Sequence, residues 1–144
     1  MNQPAAPIPN TEPLLRWLFL SAIFVVTVAG VIAGETVDAP YEDTVRAVIP
    51  IVMFFVGITG FLFARLIVLP QMTRRADVLP QRLASAGYAF AEAPATYGLV
   101  AAIIAGHGWV ALPFAALALV FWANVRSFIA AQQTSAPTED FPRL

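Results

Sequence analysis

Between Ala93 and Val125 no side chain carries a formal charge, apart from any proton held by His107. A run this long and apolar would leave an aggregating patch on a protein dissolved in water. It also exceeds the roughly 20 residues that one helix needs to cross a bilayer. Gly106-His107-Gly108 supplies a break inside it, so the run predicts two helices, over 84–105 and 109–130.

Two further apolar runs precede it. Residues 14–34 contain Arg16 as their only charge, and 47–69 contain only Arg65. At about 1.5 Å of rise per residue each spans a hydrocarbon core of about 30 Å. Ile32-Ala33-Gly34 resembles a signal-peptide cleavage site, but the run before it is long for a cleaved leader and a similar segment recurs later, which favours a retained helix. With 59% hydrophobic and 12% charged residues and a mean hydropathy of +0.75, the whole chain sits far from the roughly one-quarter charged composition of soluble domains. The expected fold is all-α: an integral membrane four-helix bundle of two helical hairpins spanning 14–130, between a flexible proline-rich tail (1–13) and a polar C-terminal tail (131–144).

Orientation follows from arginine placement. All eight basic residues are arginine. Arg74, Arg75 and Arg82 lie in the loop between the second and third helices, Arg16, Arg65 and Arg126 at helix ends on the same side, and Arg143 in the C-terminal tail. Arg46 alone falls at the other end, beside Asp38, Glu42 and Asp43. Both termini are therefore expected in the cytoplasm. The lysine-free, Ala/Arg-rich bias suggests a high-GC bacterium, hence the inner membrane. Val28–Gly34 and Val100–Gly106 match at five of seven positions, an echo that would fit two related hairpins, although short Ala/Val/Ile/Gly matches also arise by chance.

Several function classes are excluded from the expectation. No cysteine is present and His107 is the only histidine, so no thiolate or multi-histidine metal site, disulfide or haem ligation is expected. A net charge of −1 offers no footprint for nucleic acid. No nucleophile–base pair or phosphate-binding glycine loop is visible, so neither catalysis nor a cofactor is expected.

Glu92 is the residue with the strongest claim to chemistry. It falls roughly 10 Å into the third helix, where an ionised carboxylate costs at least a few kcal/mol. It must be protonated, paired or in a polar cavity. Tyr88 and Thr96, four residues to either side, share its face. Pro94 removes a backbone donor beside it. Arg65 and Arg16, at similar or shallower depth, are the candidate ion-pair partners. Asn124 is expected to make an interhelical hydrogen bond, and Trp17, Trp109 and Trp122 to be interfacial or outward-facing bulk.

Ala91-Glu92-Ala93-Pro94-Ala95-Thr96-Tyr97-Gly98-Leu99-Val100 resembles the ion-binding helix of the rotor-ring c subunit, the proteolipid of F- and V-type ATP synthases. The likeness extends over about residues 88–106. It implies Glu92 as a proton- or Na+-binding carboxylate with Thr96 or Tyr97 as oxygen neighbours. The chain departs from that family in lacking a repeated GxGxGxG in 47–69 and in its longer 70–83 loop. Three readings remain open: a non-catalytic structural or accessory membrane component, associating with lipid and with other membrane proteins or itself; a c-like proteolipid that takes part in ion translocation; and, last, a small-molecule carrier.

Overall fold

The computed structural model describes residues 11–38, 40–73 and 80–134. The tail to Asn10, the loop arginines Arg74 and Arg75, and the tail from residue 135, with Arg143, lie outside the described residues. The chain is all-helical: α1 (Glu12–Thr36), α2 (Asp43–Phe63), a π-helical turn (Ala64–Val68), α3 (Leu69–Thr73), α4 (Pro80–Ala105), a 3-10 turn (Gly108–Val110) and α5 (Ala111–Thr134). Four helical stretches, Glu12–Thr36, Asp43–Met72, Ala84–Ala105 and Gly108–Ala131, are long and apolar enough to cross a membrane. The break between the last two falls at the expected glycines, where Gly106 adopts φ 68°, a left-handed conformation that costs glycine little.

The centre of the fold is the α4–α5 hairpin. Along α4 the buried residues Ala84, Tyr88, Ala91, Ala95, Gly98, Ala102 and Ala105 alternate steps of three and four, with Gly87, Pro94 and Ala101 buried beside them. On α5 they run Ala111, Phe114, Ala118, Phe121, Val125, Ile129. A heptad-like spacing on both helices keeps one seam of each turned to the other. Small residues on α4 let large ones on α5 sink in. A Cβ on Gly98 would fall 2.6 Å from that of Phe114, and one on Gly87 would fall 2.7 Å from Val125.

Helix α4 is the hub, with α1, α2 and α5 all packed on it; α1 also meets α5, whereas α2 touches α5 only slightly. Helices α1 and α2 do not pack along one another. The expectation of two packed hairpins therefore holds for α4–α5 alone. At its end, α1 instead seats its glycine face on the α4–α5 turn. Cβ atoms on Gly34 would come within 2.8 Å of the Gly108 and His107 backbone, and the Glu35 carboxylate accepts the Gly108 N–H at 2.8 Å. Rings hold α2 instead: Phe61 stacks on Phe121 with centroids 3.6 Å apart, and Phe54 meets Phe114 edge-on.

The second long helix is not a regular α-helix throughout. Its buried positions step from Phe61 to Ala64 and then by five to Leu69, and the π-helical turn absorbs that larger step.

The outer surface is apolar on a scale unusual for a protein in water. Phe24 is 71% exposed, Leu66 70% and Phe55 63%. Among the described residues no charged side chain is fully buried.

Candidate functional site

Helix α4 is covered on three sides, which leaves one strip uncovered. Ala89, Phe90, Thr96 and Val100 are exposed along it, and Glu92 stands half-buried at its margin. Glu92 is thus not the enclosed carboxylate that its position in an apolar run suggested. It escapes enclosure because the seam of α4 runs through Tyr88, Ala91 and Ala95, which turns Glu92 out of the interhelical core.

The Glu92 carboxylate accepts a hydrogen bond from Thr96 Oγ1 at 2.9 Å, one turn along the same helix. The arginines named as its partners engage elsewhere. Arg65 Nε donates to Asn124 Oδ1 at 2.8 Å, and its guanidinium lies 4.4 Å from the Phe128 ring centroid. Arg16 places its guanidinium over Trp17, 5.7 Å from the ring centroid. The π-helical turn that carries Arg65 directs it across to α5, and Asn124 makes the interhelical bond expected of it.

The other two candidate oxygen neighbours point away. Tyr88, 0% exposed, donates its hydroxyl proton to Glu12 Oε1 at 3.0 Å. Tyr97 packs toward α2, within 3.5 Å of where a Gly57 Cβ would stand. Of the four candidates, then, the fold brings only Glu92 and Thr96 together.

A second polar cluster, absent from the sequence reading, joins α1 to the central hairpin. It consists of the Tyr88–Glu12 bond and the indole of Trp122, whose Nε1 donates to the Arg16 carbonyl at 3.3 Å. Trp122 is consequently half-buried rather than outward-facing bulk, while Trp17 and Trp109 are exposed. Glu12 was missed because Pro13 marks the edge of the polar tail, yet α1 begins at Glu12, with the proline in its first turn, where its missing N–H costs nothing.

The chemistry available is therefore modest: one outward carboxylate with a hydroxyl donor, and several interhelical polar ties. No protein-family model, curated protein or solved structure matches the chain.

Proposed function

We propose that the chain is a multi-pass protein of a bacterial inner membrane, with both termini and the connection between α3 and α4 cytoplasmic; the loop expected over 70–83 is helical up to Thr73 and again from Pro80. We infer that it is a non-catalytic structural or accessory component whose helix surfaces meet other membrane proteins or a second copy. The observation that carries this reading is the position of Glu92. It stands well inside an apolar helix, at an exposed margin, with its hydrogen bond coming from its own helix. Lipid offers a carboxylate nothing, and leaving it there ionised costs several kcal/mol. A polar group on a neighbouring membrane helix would remove that cost. The apolar exterior supports placement in lipid, and the arginine asymmetry supports the orientation.

A second reading, the c-like one, is favoured by the same margin. A half-buried carboxyl group that accepts a hydrogen bond from Thr96 is equipped to exchange a proton or to hold Na+. Dicyclohexylcarbodiimide, which reacts with protonated carboxyls in membranes, separates the two. If Glu92 meets a partner, it is expected to be shielded in native membranes and to become labelled once detergent strips the partner away. Labelling already in native membranes, slowing as pH rises, is the result expected of an ion site. No labelling in either state would remove both readings.

Topology has its own check. Protease sites inserted at the N-terminus and in the loop between α3 and α4 are expected to be cut in inside-out vesicles and protected in right-side-out ones. Cleavage of the loop in right-side-out vesicles would overturn the orientation.

A further inference from the structure

At the end of the bundle that carries Arg46, α2 and α5 leave between them a cavity of about 610 Å³. That volume is typical of a site for a small ligand. Its wall is apolar: Pro50 and Phe54 come from α2, Pro113 and Phe114 from α5. Its rim is not. Asp43 and Arg46, one helical turn apart, stand on the α2 side, with His107 and Trp109 opposite. A greasy throat under a charged mouth fits an amphiphile, and the mouth narrows the choice of head group. A purely anionic head would meet Arg46 but lie against Asp43; a purely cationic head would have the opposite problem. A head carrying both a phosphate and an ammonium sets an opposite charge against each.

We propose that this cavity binds one phospholipid whose head joins a phosphate to a primary ammonium, a phosphatidylethanolamine. The phosphate pairs with the Arg46 guanidinium, a charge-assisted contact. The ammonium donates to the Asp43 carboxylate and lies near the exposed face of Trp109, which attracts cations. A primary amine is specified because a quaternary one has no N–H to donate to Asp43. One acyl chain follows Pro50, Phe54 and Phe114. The assignment rests on the membrane reading above.

Trp109 at the rim supplies the readout. The purified full-length protein is reconstituted into phosphatidylcholine vesicles containing a minor fraction of phosphatidylethanolamine or of phosphatidylglycerol, each with brominated acyl chains that quench indole fluorescence. Brominated phosphatidylethanolamine is expected to quench more than the same fraction of phosphatidylglycerol. That excess is expected to vanish in Trp109→Phe, which identifies the reporter, and to be lost in Arg46→Gln and Asp43→Asn. Arg46→Lys should keep part of it, which separates loss of charge from loss of fold. Equal quenching by both lipids, stronger quenching by phosphatidylglycerol, or an excess that persists in Arg46→Gln and Asp43→Asn would overturn the proposal. Failure of the protein to float with the vesicles would instead overturn the membrane reading itself.

Discussion

Replacing Gly108 with alanine is expected to destabilise the bundle by about 1–3 kcal/mol, the usual cost of forcing an extra carbon into a packed site. A Cβ there would collide with the Val31 carbonyl oxygen and come within 2.9 Å of Val31 Cα. Both obstacles are backbone of α1, which cannot swing aside as a side chain would. Relief requires α1 to separate from the α4–α5 turn, and that also stretches the bond from the Gly108 N–H to Glu35. Gly60 is the matched control. An added Cβ there meets nothing within 4 Å, so alanine should be neutral or favourable by up to about 1 kcal/mol through helix propensity. Unfolding in detergent, followed by circular dichroism against rising dodecyl sulfate, measures both. Coincident midpoints for the two variants would contradict the close approach described here.

Phe114→Ala is expected to cost more, about 3 kcal/mol. That is the lower end of the range for aromatic truncation, because in lipid or detergent the surroundings are as apolar as the core and only packing is lost. Phe114 is 2% exposed. It fills the notch opened by Gly98 and meets Phe54 edge-to-face with centroids 5.3 Å apart. Its removal therefore loosens the central hairpin and the attachment of α2 together. Phe55→Ala, on the exposed side of α2, should change the same midpoint little. A small effect at both positions would show that the α4–α5 seam relaxes to fill the gap.

Much of this architecture is legible in the residues. Apolar runs of sufficient length, each with a single charged residue, specify four helices, and Gly106-His107-Gly108 locates the reversal between the last two. The 84–105 helix coincides with the third apolar span, and the second extends beyond its expected 47–69 to Asp43–Met72. Pairing between helices is a different kind of information. Nothing local to α1 or α2 reveals that Gly34 seats on Gly108, because the match exists only when two segments distant in sequence meet. The candidate site suffered for the same reason. Helical periodicity does place Tyr88, Glu92 and Thr96 near one another along α4, but it cannot say which neighbouring helix covers which part of that surface. Tyr88 falls under α1 and bonds Glu12, whereas Glu92 falls at the uncovered edge. Arg65 was a plausible partner for Glu92 on depth alone. The π-helical turn that redirects it leaves no mark in composition, only a five-residue gap between Ala64 and Leu69 in the buried pattern, visible once burial is known.

The dependence of α1 and α2 on α4, rather than on each other, has a bearing on how the chain assembles. Synthesis runs from the N-terminus, so the first half emerges before the helix it leans against exists. Those early segments have no native neighbour to hold them and must wait, separately, for the later pair to close. The second half is thus the template of the molecule, and the first half is its late-recruited lining.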